Sequence, residues 1–256
     1  MNAPLRIAVL GLGEAGSAVA SGLAAAGADV RGHDPAAPVP PGVTARSGEA
    51  DAVRDADLVI SLTTAEHAEA AMRAALPELR PGALWADANT AAPSQKAALA
   101  RLVPGGFTDV ALMAPVPGLG LRTPMLASGP GAERFRRHLE PLGARIDTVP
   151  GPPGAANSRK LLRSVVYKGI AAAIVEGLQG AQAAGLEDWY RDHIAAELAS
   201  FDTRTFERMV AGTFRHAARR ADEMDAAARQ LRDLGLDPRI APAARDALEA
   251  LARRRA

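Results

Sequence analysis

Three glycines and one carboxylate near the start of the chain have the spacing to hold a phosphate-rich ligand. Gly11-Leu12-Gly13-Glu14-Ala15-Gly16 follows the apolar run Ile7-Ala8-Val9-Leu10 and opens an alanine-rich, helix-favouring segment over 17–26. In a strand–turn–helix setting each glycine has its own task. Gly11 makes the tight turn, Gly13 lets backbone N–H groups approach a pyrophosphate, and Gly16 lets helix and strand pack closely. Asp34 arrives 23 residues after Gly11, near the spacing of a carboxylate that holds an adenosine ribose. The expected ligand is a nicotinamide dinucleotide, met by Gly11, Leu12, Gly13, Glu14, Ala15, Gly16 and Asp34; the motif alone is also compatible with a plain glycine-rich turn. A carboxylate at 34 repels a 2′-phosphate, and Pro35 rather than an arginine follows it. NAD is therefore expected in preference to NADP, unless Arg31 or Arg46 folds over the ribose.

Lys160 is the second residue with chemistry to offer. It falls in the first turn of a helix expected over 156–184, where the positive end of the macrodipole disfavours an ammonium and burial in a cleft acts the same way. A lysine brought toward neutrality serves as a general acid or base. At about 100° per residue, Lys160, Ser164, Tyr167 and Ala171 lie within roughly 60° of one another on that helix. The plainer role for Lys160 is to bind an anion or cover a surface, and Lys168, displaced around the helix, is expected to be solvated. Asn157 or Ser158 is positioned to cap the helix, and Gly169, Gly177 and Gly180 point to close helix–helix packing. His33, His67, His138, His193 and His216 lack metal-ligand spacing, so no metal site is expected.

Strand and helix patterns that would position these groups alternate up to about residue 150. Strands are expected at 29–34, 43–45, 57–62, 84–87, 108–113, 124–128 and 145–149, with helices at 47–54, 65–79, 93–102 and 132–142. This βα alternation implies a parallel sheet wound on both faces. Ligands of such sheets bind at the carboxyl edge. The loops arriving there bring the hydroxyls of Thr63, Thr64 and Thr90, the amide of Asn89, and the 113–120 segment with its free backbone N–H groups. Taken singly these are ordinary turn residues; behind a dinucleotide turn, Thr63, Thr64, Asn89 and Thr90 are expected at the cofactor. At Pro150-Gly151-Pro152-Pro153-Gly154 the pattern becomes helical almost throughout. The expected architecture is α/β: a Rossmann-type doubly wound parallel sheet over 1–152 followed by a smaller all-helical domain over 153–256.

With 256 residues, 48% hydrophobic and 23% charged, the chain can bury one or two cores. A net charge of +1 with interspersed signs leaves no broad footprint for nucleic acid, and Arg253-Arg254-Arg255 reads as a solvated helix end. Absent cysteine excludes disulfides, thiolate metal sites and cysteine nucleophiles. The first residues lack a signal-peptide profile and no apolar run reaches bilayer length, so a cytoplasmic protein without a membrane partner is expected. The long apolar helix after 155 is expected to support a homodimer.

Four blocks stand in order along the chain: Gly11-Leu12-Gly13-Glu14-Ala15-Gly16, Asp87-Ala88-Asn89-Thr90-Ala91-Ala92-Pro93, Ala114-Pro115-Val116-Pro117-Gly118, and Gly154-Ala155-Ala156-Asn157-Ser158-Arg159-Lys160. In these the chain resembles the β-hydroxyacid dehydrogenase superfamily, which includes 6-phosphogluconate and 3-hydroxyisobutyrate dehydrogenases. It looks most like the oxidoreductases that pair this nucleotide domain with a short helical C-terminal domain of the DUF1932 type. The resemblance implies hydride transfer between NAD(P) and a small hydroxy acid, sugar acids and phosphorylated acids included. It implies Lys160 as general acid/base assisted by Ser164 or Tyr167, a substrate carboxylate held by Pro115, Val116, Pro117 and Gly118, and a C-terminal helix containing His216 and Arg220 over the active site. The match is partial. Pro117 replaces the family's serine and Leu119 its second glycine, and because proline has no N–H one anchor is missing or relocated. Arg163 and Ser164 replace two asparagines; a guanidinium at Arg163, Arg219 or Arg220 can instead pair with a carboxylate or phosphate of the substrate. An imine-type reductase on the same architecture, and a dinucleotide-binding sensor without turnover, are the alternatives.

Overall fold

The computed structural model describes residues 3–103 and 105–254; Met1, Asn2, Pro104, Arg255 and Ala256, and with Arg255 the end of the arginine triplet, lie outside the described residues. The chain divides into two compact units, Met1–Arg163 and Ser164–Ala256.

The first unit runs β1 (Arg6–Leu10), α1 (Glu14–Ala25), β2 (Asp29–His33), β3 (Thr44–Ala45), α2 (Glu49–Val53), β4 (Leu58–Ser61), α3 (Ala68–Ala75), β5 (Leu84–Asp87), α4 (Pro93–Ala100), β6 (Phe107–Leu112), β7 (Met125–Ser128), α5 (Ala132–Leu139) and β8 (Ile146–Thr148). The helices α3 and α5 stop short of their expected ends and finish as 3₁₀ turns at Leu76–Glu78 and Glu140–Leu142. Pro77 and Pro141 stand in those turns, and neither can donate to the i−4 carbonyl that a continuing α-helix would need.

Eight strands form one sheet in the order β3-β2-β1-β4-β5-β6-β7-β8. The alternation along each central strand builds its two faces. Ile7 and Val9 of β1, Leu58 and Ile60 of β4, and Leu84 of β5 pack with Val19 and Leu23 of α1 and Phe135 and Leu139 of α5. Ala8, Leu10, Val59 and Trp85 face the other way, onto Val53 of α2, Met72 of α3 and Leu99 of α4. Each large side chain so buried contributes about 1.5–3 kcal/mol. Helices cover both faces, as the βα alternation requires. One pair departs from the all-parallel expectation: β7 runs antiparallel to β6, with Asp109 opposite Ser128. The connection between them holds only a 3₁₀ turn, Gly120–Arg122, and without a crossover helix the chain must double back.

The order places β1 between β2 and β4, so the chain reverses its direction of travel across the sheet at β1, and a crevice opens at the carboxyl ends of β1 and β4.

The helix α6 (Ala155–Ala183) follows the Pro-Gly segment expected to divide the domains. Its first turns belong to the first unit, and the remainder to the second. The second unit continues with α7 (Glu187–Ala199), α8 (Thr203–Arg215), α9 (Ala217–Asp233) and α10 (Ile240–Arg253). Two of the three helix glycines mark close packing: a Cβ at Gly177 would lie 2.3 Å from Tyr190 Oη and one at Gly180 2.5 Å from Leu231 Cδ2, whereas Gly169 has nothing within 4 Å. The Glu176 carboxylate accepts the backbone N–H groups of Arg239, Ile240 and Ala241 at the start of α10, at 2.5, 2.8 and 2.8 Å. Among the described residues, no helix is long and apolar enough to cross a membrane.

Candidate functional site

The glycine turn has a different constraint at each glycine. Gly11 has φ +87° and lies so close to β4 that a Cβ would stand 2.5 Å from the Leu62 carbonyl oxygen. A Cβ at Gly16 would be 2.0 Å from the Gly11 carbonyl oxygen, so only hydrogen lets α1 start against the turn. At Gly13 a Cβ would meet nothing within 4 Å. The open space in front of Gly13 lies at the N-terminus of α1, where Gly13 as N-cap supplies no side-chain acceptor. The N–H groups of Glu14 and Ala15 have no acceptor within the helix, which favours an anion at that end.

Asp34 follows β2 and ties its carboxylate to this turn. Oδ2 accepts the Leu12 N–H at 2.7 Å, and Oδ1 accepts those of Ala36 and Ala37 at 2.8 Å each. Partial burial pushes the carboxyl upward, but these backbone donors outweigh it and hold the group below the usual carboxylate range. Asp34, Gly11, Gly13, Thr63 and Thr64 line one cavity of about 570 Å³, completed by Glu49, His67 and the apolar face of α3. Its lining includes two carboxylates and neither lysine nor arginine. Arg31 turns instead to the Arg54 carbonyl and Asp29, and Arg46 to Asp51. Thr64 Oγ1 and His67 Nδ1 share a hydrogen bond of 2.8 Å, which fixes the start of α3 at the cavity wall. Glu49 and His67 had no distinguishing sequence signal, since both read as ordinary helix-end residues.

Further along the same sheet edge, the loop after β5 is organised by Asp87. Its Oδ1 accepts the Asn89 backbone N–H at 2.9 Å and the Asn89 side-chain amide at 2.7 Å. Asn89 also donates to Ser61 Oγ and is buried, so its amide donors are spent within the protein. Thr90 is exposed, and its Oγ1 accepts a hydrogen bond of 2.7 Å from Lys160 Nζ.

Lys160 stands in the second turn of α6 rather than the first, and the cap of that helix is not local. Asn157, expected as a cap, lies inside the helix and donates its amide to Asp109 Oδ1 and the Val110 carbonyl. Ser158 does not cap either: its backbone N–H already donates to the Gly154 carbonyl inside the helix. Asp109 of β6 performs the capping, its Oδ2 accepting the N–H groups of Gly154, Ala156 and Asn157 at 2.9, 3.1 and 3.1 Å. Ser128, opposite on β7, donates to the same oxygen and accepts a second bond from the Ala156 N–H. A carboxylate wins this position because three convergent donors at a helix N-terminus favour a full negative charge over a neutral side chain.

In the loop after β6, Val116 is buried and its carbonyl accepts the N–H groups of Leu119 and Gly120, while Pro115, Pro117 and Gly118 are exposed. Arg163 ends the first unit on α6. Ser164 and Tyr167 lie on α6 in the second unit, where Tyr167 is 61% exposed. His216 and Arg220 lie at the α8–α9 junction with Arg208 and Arg215 around a cavity of about 400 Å³, and Arg220 donates to Thr213 Oγ1. Among the described residues, no His, Asp and Glu group is arranged to hold a metal ion.

Residues 6–118 match the NAD binding domain of 6-phosphogluconate dehydrogenase, and residues 181–251 match a domain of unknown function, DUF1932. No curated protein matches the chain significantly. A conserved hypothetical protein from Sinorhizobium meliloti 1021 is 30% identical over 97% of this chain and 88% of its own, with a TM-score of 0.61. A conserved protein of unknown function, described as structurally similar to 3-hydroxyacid dehydrogenases, is 28% identical over 98% of both chains, with a TM-score of 0.62. The imine reductase of Myxococcus stipitatus, solved with NADP⁺, is 17% identical over 97% of this chain and 94% of its own at a TM-score of 0.81, a likeness of fold.

Proposed function

Since the chain belongs to the family that joins the NAD-binding domain of 6-phosphogluconate dehydrogenase to a DUF1932 domain, we propose that it oxidises or reduces a small hydroxy acid with Lys160 as general acid/base. Its first unit is an NAD(P)-binding domain, and its fold is that of hydroxyacid dehydrogenases. The observation that carries the reading is the Lys160–Thr90 hydrogen bond on the sheet edge that also carries the glycine turn.

Bound nicotinamide supplies the hydride acceptor or donor. The turn from Gly11 to Gly16 would hold the pyrophosphate against the N-terminus of α1, and the Asp34 carboxylate would accept a hydrogen bond from the adenosine ribose. In oxidation, Lys160 in its neutral form takes the hydroxyl proton as the carbon gives up hydride; in reduction it returns that proton to the forming alkoxide. Thr90 fixes the amine's direction. The family resemblance gives Ser164 or Tyr167 as the assisting group, and Arg163, His216 and Arg220 as candidate partners for an acidic or phosphorylated substrate.

NAD(H) is the preferred cofactor on this reading. The fixed carboxylate of Asp34, with Glu49 in the same cavity and neither lysine nor arginine in its lining, disfavours a 2′-phosphate. The NADP⁺ bound by the imine reductase of similar fold makes NADP(H) the direct competitor.

A second reading, reduction of an imine, draws on Pro117, which leaves the 114–118 loop with one fewer N–H group for a substrate carboxylate than the family segment it resembles. A substrate without a carboxylate needs no such anchor. The protein is also proposed to act as a homodimer in the cytoplasm. Phe206, Met209, Val210 and Phe214 of α8 are 57%, 45%, 40% and 47% exposed, and apolar side chains clustered on one exposed helix are a common mark of a protein–protein contact. A monomer mass at every concentration in light scattering refutes the dimer.

Nicotinamide fluorescence with NADH and NADPH, followed by a screen of short hydroxy acids, sugar acids, their phosphates and cyclic imines, tests the function. Lys160→Ala is expected to leave NADH affinity within about twofold and to lower turnover about 10²–10⁴-fold. Turnover retained in Lys160→Ala refutes the acid/base role, and binding of neither cofactor refutes the whole reading.

A further inference from the structure

Only three of the chain's 30 basic side chains are lysines, namely Lys96, Lys160 and Lys168, and Lys96 of α4 is completely buried. Its Nζ donates to the Asp87 carbonyl at 2.9 Å and stands 3.2 Å from Asp87 Oδ1 and 3.4 Å from Asp109 Oδ1. Enclosing such a cluster costs several kcal/mol per ion before its pairing is counted, and apolar residues of equal volume often give equal stability. Stability alone therefore does not account for it.

Each carboxylate has a second set of partners, and these lead to the two ends of one hydrogen bond. Asp87 Oδ1 takes the Asn89 N–H, which fixes the turn that presents Thr90. Asp109 Oδ2 takes the N–H groups of Gly154, Ala156 and Asn157, one turn before Lys160 on α6. Among the described residues, Lys96 alone pairs with both carboxylates. Thr90 thus hangs from one partner of Lys96 and Lys160 from the other, and their Nζ–Oγ1 separation of 2.7 Å is spanned from beneath by a single ammonium. The positive end of α6 balances the remaining charge of Asp109.

We propose that Lys96 is a positioning residue: it couples Asp87 to Asp109 and so sets Lys160 Nζ against Thr90. The inference takes Lys160 as the proton-transferring group from the proposed function, but the coupling itself is read without turnover. An arginine does not replace Lys96, because its planar fork needs a wider, differently shaped enclosure than a compact ammonium.

The low lysine count makes the test direct. Reductive ¹³C-methylation of the intact chain under native conditions labels Lys160, Lys168 and the N-terminal amine, while Lys96 is enclosed. Dimethyl-lysine keeps one N–H to donate to Thr90, and Lys160→Arg assigns the resonance. Thr90→Val supplies the position of the Lys160 signal in the absence of the Thr90 hydroxyl. The variants are Lys96→Met and the charge-balanced Lys96→Met with Asp87→Asn, whose new amide still accepts the Asn89 N–H.

In either Lys96 variant the Lys160 resonance is expected to move at least half of the way to its Thr90→Val position. Lys168 stays in place, and NADH affinity by fluorescence stays within threefold. A folded variant with Lys160 unmoved overturns the proposal, as does one in which Lys160 and Lys168 shift together. Failure of both variants to fold assigns the cluster to stability and overturns it as well. A resonance that moves as expected in a protein whose turnover survives Lys160→Ala upholds the coupling and removes only the acid/base role.

Discussion

Replacing Asp34 by asparagine removes a charge and one acceptor while keeping the side chain's shape. Asp34 takes three backbone N–H groups, Leu12 on Oδ2 and Ala36 and Ala37 on Oδ1. An amide satisfies two at most: with its oxygen toward Ala36 and Ala37, its NH₂ faces the Leu12 N–H. One unpaired, partly buried donor and two weakened bonds cost about 1–3 kcal/mol. For a chain of this size that is a fall in melting temperature of roughly 2–10 °C. The cofactor responds in the opposite sense for its two forms. Acceptance of a ribose hydroxyl by a neutral group instead of a carboxylate loses about 1 kcal/mol, or roughly fivefold in NADH affinity. A 2′-phosphate about 5 Å from a carboxylate, at an effective dielectric constant of about 20, is repelled by about 3 kcal/mol per unit charge. Recovering a third of this raises NADPH affinity roughly fivefold, so the NADPH to NADH affinity ratio rises about 25-fold or more. Parallel fluorescence titrations at low salt, where screening is weakest, measure it. A ratio within threefold of wild type, in a variant that melts lower as expected, refutes the placing of Asp34 at the ribose. A shifted ratio with unchanged melting refutes the hydrogen-bond accounting.

The turn glycines separate folding from binding. Gly16→Ala puts a methyl 2.0 Å from the Gly11 carbonyl oxygen and is expected to cost about 1–3 kcal/mol together with NADH binding. Gly13→Ala, at φ −61° with nothing within 4 Å of its Cβ, is expected to change stability by less than about 1 kcal/mol and still to abolish binding; equal melting temperatures for the two variants contradict this. Glu176→Ala removes the acceptor of three N–H groups at the start of α10 and should cost about 1–2 kcal/mol at neutral pH. Partial burial raises the Glu176 pKa, but the Ile240, Arg239 and Ala241 donors lower it more, leaving it below the ordinary value. A depressed folded-state pKa means that the contribution is complete above the unfolded pKa and disappears as pH falls through the folded one. The melting gap between wild type and Glu176→Ala should therefore narrow as the pH is lowered through and below the ordinary carboxylate range, and a gap constant with pH contradicts the assignment.

Alternation and punctuation made the first unit legible from its residues. Ile7, Val9 and Ala8, Leu10 announce a strand buried on both faces, and Gly11, Gly13 and Gly16 announce the turn because each is a local constraint on one peptide. The cap of α6 was illegible for the complementary reason. Asn157 and Ser158 are the nearest capping side chains in sequence, whereas the acceptor comes from Asp109, 45 residues before Gly154. Nothing local distinguishes Asp109 from a polar strand residue. Lys96 in Ser94-Gln95-Lys96-Ala97 reads as a solvated helix position; its burial arises from where α4 lies on β5 and β6. The available signal was its scarcity, since a chain that uses arginine nearly everywhere spends lysine at only three places. The reversal of β7 was foreseeable from the absence of a helical pattern between 113 and 124, and was missed by extending the βα rhythm past its last helix.

Both rims of the sheet are very short: β3 contributes two residues and β8 three. A strand from another molecule that approached either rim would find a ladder of only a few bonds before the backbone turned away. Natural sheets use such truncated borders against runaway strand addition. The longer strands are all interior, so the sheet offers little template for the ordered growth that leads to fibrils. Copies of this chain that meet at high concentration are thereby steered away from sheet-to-sheet docking, and an overexpressed preparation that aggregates should do so without the dye response of cross-β material.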